Sequence, residues 1–348
     1  MSHRITVLPG ERQFFAAPGQ TVLDAALAAG VNLPYSCKNG ACSSCKGRVL
    51  NGSIEQGPHQ AGSLSTTEAQ QGYALFCCAT PTSDLTIEAR VVQGLEGIDI
   101  RKMPVRVQQL QKAAGDVMLV TLQLPANQRF VFNAGQYLDF ILPNGVRRSY
   151  SMASAPHVEG TVELHIRHMP GGVFTDRVFA PDGSGFKVRD ILRCEGPLGS
   201  FFLREDTDMP VVFLASGTGF APLKAMIESM AYRGIRRRIS LYWGGRRPAD
   251  LYLHALVENW ARELPDFSYV PVVSDAQPED LWQGRTGFVH RAVMEDFPDL
   301  SGHQVYACGA PAMVDAAQRD FVSQCGLRAD EFYADAFTSQ ADLAERTR

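Results

Sequence analysis

The sequence predicts three successive domains of different class: a β-grasp domain, an antiparallel β-barrel and a doubly wound α/β sheet. Three observations predict this. Residues 1–98 hold short strands around one small-residue helix and a cysteine-rich loop. Residues 103–206 alternate apolar and polar positions in short runs split by turn residues, the period of half-buried antiparallel strands. From 207 to 340, continuous apolar runs alternate with helical spacing, as in a parallel sheet buried on both faces. A chain of 348 residues has room for domains of about 100–150 residues each.

The first run, His3-Arg4-Ile5-Thr6-Val7-Leu8, alternates and stops at Pro9-Gly10. It lacks the apolar stretch and small-residue cleavage site of a secretory leader. Thr21-Val22-Leu23-Asp24 has the form of a capping box, with Asp24 able to reach back to the Thr21 amide. Val22, Ala25, Ala26 and Ala29 follow helical spacing, and Gly30 supplies a left-handed stop. The loop Tyr35-Ser36-Cys37-Lys38-Asn39-Gly40-Ala41-Cys42-Ser43-Ser44-Cys45 follows, and Leu75-Phe76-Cys77-Cys78 offers a distant further thiol. Spacings of four and then two residues before a distant cysteine form the plant-type pattern for a [2Fe–2S] cluster. Small residues between the cysteines let the backbone curl and aim amides at sulfur, with Gly40 free to take positive φ. A zinc knuckle is the competing reading, but such sites usually pair two C-x2-C units or add histidines. Leu85-Thr86-Ile87-Glu88 reads as the closing strand, and Val92–Ile98 as a linker with two glycines.

In the second domain Val105-Arg106-Val107, Met118–Leu124, Tyr137–Leu142 and Thr161–Arg167 read as strands, with Pro143-Asn144-Gly145 as a turn. Arg148 and Tyr150, two apart, share one strand face. The guanidinium can pair with a phosphate, and the ring supplies a flat apolar surface. Gly171-Gly172-Val173-Phe174-Thr175 starts a short helix whose free amides can meet a pyrophosphate.

In the third domain Val211–Ala215, Ile239–Trp243, Tyr269–Val273 and Val305–Cys308 read as strands, with helices over 222–233, 250–263 and 311–324 and a frayed tail over 338–348. Gly217-Thr218-Gly219-Phe220-Ala221-Pro222 lies between a buried strand and a helix, where glycines let a dinucleotide approach the backbone. Cys308-Gly309-Ala310-Pro311 ends a late strand, the edge at which this fold binds ligands. Cys194 and Cys325 belong to no motif and read as packing residues.

Composition excludes other classes. Net charge is −4 with no basic run, which argues against a nucleic-acid partner. No stretch of about 18 uninterrupted apolar residues is present, so no membrane span is expected, and the expected location is the cytoplasm. There, eight cysteines suggest metal ligands or packing before disulfides.

Together these motifs resemble the ferredoxin–NADP reductase superfamily over nearly the whole chain. The likeness is to reductases with an N-terminal plant-type ferredoxin domain, and within them to the CDP-6-deoxy-3,4-glucoseen reductases. It rests on Tyr35–Lys38, Arg147–Ser151, Gly217–Pro222, Gly287-Phe288-Val289-His290 and Phe332–Phe337. The resemblance implies Cys37, Cys42, Cys45 and Cys77 as cluster ligands, with Cys78 a buried apolar side chain. It implies Arg148, Tyr150 and Ser151 holding FAD, with Ser151 near the flavin N5, and Gly172 and Thr175 at the FAD phosphates. Gly217, Thr218 and Gly219 would line the nicotinamide nucleotide site. Cys308 would sit beside the nicotinamide C4, and Phe337 is a candidate aromatic over the flavin. The usual Gly-Pro after that cysteine is altered here, with the proline one place later at Pro311.

The function so implied is an NAD(P)H-dependent relay from NAD(P)H through FAD and the [2Fe–2S] cluster to a protein acceptor, with residues 36–46 as its docking surface. The acceptor is a dehydrase carrying a sugar intermediate or, alternatively, the oxygenase component of a ring-hydroxylating system. A cluster-based redox sensor is the reading from another class. Arg246 and Arg247 after the second strand of the third domain could take the 2′-phosphate of NADPH. Relatives with a similar run ending in Asp250-Leu251 mostly prefer NADH, which is the expected nucleotide.

Overall fold

Alternation at Ile5 and Val7 drives one strand face into a core, and the rest of the first domain assembles on it. The structure, a computed structural model, describes residues 2–60, 62–143, 145–180 and 184–337. The tail at 338–348 and Asn144 of the expected turn lie outside the described residues. The chain forms two compact units. One runs to Gly97 and includes Gly199–Phe201 and the described residues from Asp335 on, and the other holds Ile98–Leu198 and Phe202–Ala334.

The first unit contains β1 (His3–Leu8), β2 (Arg12–Ala16), α1 (Val22–Ala28), β3 (Lys46–Asn51), β4 (Ile54–Gln56), α2 (Thr66–Gln70), β5 (Tyr73–Leu75), β6 (Ala79–Pro81) and β7 (Leu85–Glu88). Its sheet has the order β2-β1-β7-β3-β5, with β1 and β7 parallel, and β4 pairs with β6 in a separate ribbon. This is the β-grasp fold. α1 buries Val22, Leu23, Ala25 and Ala26 against a core that includes Ile5, Val7, Phe76 and Ile87. The expected cap is half realised. Thr21 Oγ1 accepts the Asp24 amide at 3.1 Å, while the Asp24 carboxylate pairs with Lys38 at 3.1 Å. The reciprocal capping box occurs instead at Ser65 and Glu68, opening α2.

In the second unit β8 (Arg101–Ala114), β9 (Val117–Gln123), β10 (Tyr137–Ile141), β11 (Arg147–Ser151), β12 (Thr161–Arg167), α3 (Thr175–Phe179) and β13 (Ile191–Leu198) build the barrel. Strand order is β11-β10-β13-β8-β9-β12, and a bridge between Met152 and Leu164 joins the two end strands. Val162, Leu164 and Ile166 fill its interior with Met103, Val105 and Phe140.

The same unit continues with β14 (Val211–Ser216), α4 (Phe220–Arg233), β15 (Ile239–Gly245), α5 (His254–Glu263), β16 (Phe267–Val273), β17 (Arg285–Thr286), α6 (Val289–Asp296), β18 (Gln304–Gly309), α7 (Pro311–Gln324) and the first three residues of β19 (Phe332–Ala336), the last two being counted with the first unit. The order β17-β16-β15-β14-β18-β19 makes β14 the strand at which the winding reverses, with parallel neighbours β15 and β18. The helix expected from residue 250 starts at His254. Asp250 sits in a 3-10 turn, Pro248–Asp250, because its carboxylate accepts the amides of Arg246 and Arg247 at 2.7 and 3.1 Å.

Candidate functional site

The cysteine loop bridges α1 and β3. Gly40 has φ +73°, and a Cβ there would lie 2.9 Å from both Cys78 Sγ and His59 Cβ, so no larger residue fits. Lys38 and Ser43 also adopt positive φ, at 54° and 59°. The sequence offered no histidine close to the cysteines, yet the His59 backbone packs on their loop. The amides of Asn39 and Ala41 donate to Cys37 Sγ at 3.5 and 3.4 Å, and that of Cys37 to Cys42 Sγ at 3.4 Å.

Cys37 lies beside Cys42, and Cys45 beside Cys77, close enough for each thiol to shift its neighbour's ionisation. Among the described residues no three His, Cys, Asp or Glu side chains converge as a single-ion site requires. Two pairs suit two irons bridged by sulfide better than one tetrahedral zinc. The neighbouring Cys42 thiol, with the two loop amides, holds the Cys37 pKa below its usual value, and the same neighbourhood raises Cys42. Cys78 is half-buried, with its sulfur 3.5 Å from that of Cys77.

The loop's entry is tied down within the same unit. Ser200 Oγ accepts the Tyr35 amide at 2.8 Å and donates to the Tyr35 carbonyl at 3.0 Å. The Ser36 hydroxyl donates to buried Asp335. Phe337, two residues on, is half-buried.

On β11, Arg148 Nη1 donates to the Arg147 carbonyl at 2.7 Å, while its Nη2 is buried with no partner among the described residues. The Tyr150 ring lies 5.0 Å from that of Phe174 and 6.0 Å from that of Phe140. Burial pushes its hydroxyl pKa up, so it remains a neutral donor. Ser151 is buried at the strand end, opposite Tyr137. An orphaned guanidinium nitrogen beside a half-buried ring fits a phosphate-bearing, flat-ringed cofactor such as FAD.

Gly172 and Thr175 share one turn. A Cβ on Gly172 would lie 2.4 Å from Thr175 Oγ1, which donates to the Met169 carbonyl at 2.8 Å. The two glycine amides are engaged within the turn. Gly171 N–H donates to Asp176 Oδ2 at 3.1 Å and Gly172 N–H to the Met169 carbonyl at 2.8 Å. The turn's own closure uses both donors.

The loops after β14 and β18 meet at the winding reversal. A Cβ on Gly219 would stand 2.1 Å from the Cys308 carbonyl oxygen, and one on Gly309 2.2 Å from Ser216 Oγ. Ser216 Oγ accepts the Ala310 amide at 2.9 Å. Gly217 has φ +51°, and a Cβ would come within 2.9 Å of Arg167 Nη1. Its carbonyl accepts Trp243 Nε1–H at 2.9 Å. Thr218 and Cys308 are buried beside these turns. Backbone so close-packed at a switch point suits a dinucleotide crevice.

One strand face joins the barrel to this crevice. Glu163, His165 and Arg167 alternate along β12 with the interior residues. Glu163 Oε1 lies 2.9 Å from His165 Nε2 and 3.3 Å from Lys224 Nζ on α4. His165 Nδ1 meets Tyr252 Oη at 2.7 Å, and Arg167 pairs with Asp250 at 3.2 Å. Lys224 also donates to the Ala153 carbonyl, two residues past Ser151, at 3.2 Å and pairs with Glu228 at 3.0 Å. Burial opposes ionisation of Glu163, but the bonds from His165 and Lys224 outweigh it and lower its pKa to about 2. Burial lowers His165, keeping the imidazole neutral. None of these residues was expected in the site. Their period-two spacing was visible, yet a charged face on a barrel strand reads equally as solvated.

Three families match in this order: the 2Fe-2S iron-sulfur cluster binding domain over residues 5–82, the oxidoreductase FAD-binding domain over 104–203 and the oxidoreductase NAD-binding domain over 213–319. A CDP-6-deoxy-L-threo-D-glycero-4-hexulose-3-dehydrase reductase of Yersinia pseudotuberculosis is 39% identical over 97% of this chain and 99% of its own length. A terephthalate 1,2-dioxygenase reductase component of Comamonas sp. is 38% identical over 97% of this chain and 98% of its own. The crystal structure of an Amycolatopsis cytochrome P450 reductase superposes with a TM-score of 0.75 at 35% identity, covering 97% of this chain and 99% of that one. No helix among the described residues is long and apolar enough to cross a membrane. The chain therefore belongs to the ferredoxin–NADP reductase superfamily, as an oxidoreductase whose N-terminal [2Fe–2S] ferredoxin domain is fused to FAD- and NAD-binding domains.

Proposed function

We propose that this chain takes a hydride from NADH in the β14–β18 crevice and delivers electrons through its cluster to a dehydrase that carries a deoxysugar intermediate. FAD, when bound, supplies the conversion of a two-electron donation into single-electron steps. Cys37, Cys42, Cys45 and Cys77 hold the cluster in two pairs. Arg148 pairs with an FAD phosphate, Tyr150 packs on the flavin, and the turn built by Gly172 and Thr175 borders the phosphates. Ser151 and Cys308 face the reacting centre as the catalytic pair, Gly217, Thr218 and Gly219 carry the nicotinamide nucleotide, and Phe337 covers the flavin. The domains span 1–98, 103–206 and 207–340, and the protein works in the cytoplasm.

The observation that supports this reading most is the buried Nη2 of Arg148, without a partner among the described residues and two residues from Tyr150 on β11, in a chain that also sets four cysteines in neighbouring pairs. Anaerobic titration with NADH tests it. Both flavin and cluster bands should bleach, and bleaching of the flavin alone would sink the relay.

A dehydrase is favoured because the Yersinia relative named for one is matched over nearly its whole length. The Comamonas relative is as fully covered, which keeps an oxygenase component as the second reading. Stopped-flow reoxidation of the cluster by each purified acceptor decides between them. The acceptor docks on residues 36–46. Substituting Lys38 and Asn39 should slow its reduction and leave flavin bleaching by NADH untouched.

A further inference from the structure

The loops after β15 and β16 together carry two arginines, Arg246 and Arg247, and four carboxylates, Asp250, Asp275, Glu279 and Asp280. The end of the second strand is where a doubly wound sheet meets the adenosine ribose of a dinucleotide. Arg247 is already engaged there. Its Nε lies 2.7 Å from Asp280 Oδ2, and its Nη2 lies 2.7 Å from Asp280 Oδ1 and 3.3 Å from Glu279 Oε1. Asp280 is fixed in turn, since its Oδ2 accepts the Gln277 amide at 2.9 Å. The amides of Ser274 and Asp275 donate to the carbonyls of Gly245 and Arg246, both at 2.9 Å, so the two loops are stitched together. Arg246 points outward, 76% exposed and 3.9 Å from Asp250.

We propose that the Arg247–Asp280 pair is a specificity lock that turns away a ribose 2′-phosphate, so that the crevice takes the dinucleotide with both adenosine ribose hydroxyls free. The inference rests on the hydride-accepting reading above and adds the residues that choose the nucleotide. A phosphate monoester carries close to two negative charges at neutral pH, and the bidentate guanidinium fork is the protein group best shaped to bind it. Here the Nε–Nη2 edge of that fork is held by Asp280, and Nη2 is shared with Glu279. The loops' surplus of carboxylates repels a further anion, and carboxylates accept hydrogen bonds from ribose hydroxyls.

The test uses the full-length flavoprotein and two probes that differ only in the 2′-phosphate, 5′-AMP and adenosine 2′,5′-bisphosphate, titrated by calorimetry. The ratio of kcat/KM for NADH and NADPH with ferricyanide is measured alongside. Wild type should favour 5′-AMP. Asp280→Asn should move the ratio of dissociation constants toward the bisphosphate by about fivefold or more, and Arg247→Ala added to that variant should cancel the gain. Asp280→Glu, which keeps the charge, should preserve the wild-type preference and serves if Asp280→Asn does not fold. An unchanged ratio in Asp280→Asn, a gain that survives Arg247→Ala, loss of the preference in Asp280→Glu, or a wild type that already prefers the bisphosphate overturns the lock. Failure of NADH to bleach the flavin instead overturns the reductase reading, and the two probes still report on the lock.

Discussion

At the scale of single residues, a missing methyl group separates structural glycines from incidental ones. Gly219→Ala sets a Cβ 2.1 Å from the Cys308 carbonyl oxygen and 2.7 Å from the Gly309 Cα. Both obstacles are backbone, so the two loops must part. We expect a cost of about 1–3 kcal/mol and a raised KM for NADH, read by thermal unfolding and steady-state kinetics. Gly115→Ala meets nothing within 4 Å and should stay within about 0.5 kcal/mol of wild type. Arg148 offers a second test. Its buried Nη2 has no partner among the described residues, so Arg148→Ala should cut retained FAD after dialysis far more than it lowers stability. A charge-assisted bond of about 1.5–3 kcal/mol corresponds to a tenfold or greater rise in FAD dissociation constant, measurable from flavin absorbance per mole of protein.

At the scale of elements, β12 does two things at once. Val162, Leu164 and Ile166 fill the barrel, while Glu163, His165 and Arg167 hold the nucleotide half through Lys224, Tyr252 and Asp250. The Lys224 side chain is 11% exposed between Glu163 and Glu228. Lys224→Met should cost about 3 kcal/mol or more, because two carboxylates lose their cation, and adding Glu228→Gln should recover part of the loss in a double-mutant cycle. The pH dependence has a definite sign. Burial lowers His165, His290 and His303 below the ordinary histidine value. The stability tied to their neutral forms is therefore complete above about pH 6.5 and is lost as pH falls through the lowered folded values. The melting temperature should drop below pH 6.5, and His165→Gln should make that drop shallower.

These same elements show what a sequence can and cannot reveal. The β14 run, the helix expected over 222–233 and the spacing of Cys37, Cys42 and Cys45 were legible because each follows from periodicity or spacing along the chain, whereas Cys77 over Cys78 rested on resemblance alone. The lock at Arg247 and Asp280 was not, because a sequence shows two arginines in one loop and an acidic run in another without showing that the loops touch. The turn at 171–172 hides its pairings for a related reason. Asp176 and the Met169 carbonyl, which take its two glycine amides, become partners only once the turn has folded. α2 was missed because it is five residues long with no buried residue, so it left no hydrophobic pattern to read.

At the scale of the whole molecule, the unit that contains the cluster loop is not contiguous in sequence. Its completing pieces, Gly199–Phe201 and the stretch from Asp335, come from far along the chain. Ser200 satisfies both backbone groups of buried Tyr35. Ser200→Ala should therefore remove the hydroxyl's bonds to Tyr35 at a cost of about 0.5–1.5 kcal/mol and hasten cluster loss to a chelator, followed by the fading of its visible bands. The order in which the chain emerges from the ribosome then matters. The four cysteines appear early, but their loop's ties to Ser200 and Asp335 span 165 and 299 residues. Throughout most of synthesis the cysteine loop lacks its later fastenings, which leaves it open to whatever machinery delivers iron and sulfide. The tie to Ser200 can form partway through synthesis, but that to Asp335 waits for the last strand, so a chain stalled before Asp335 should accept a cluster yet keep it poorly.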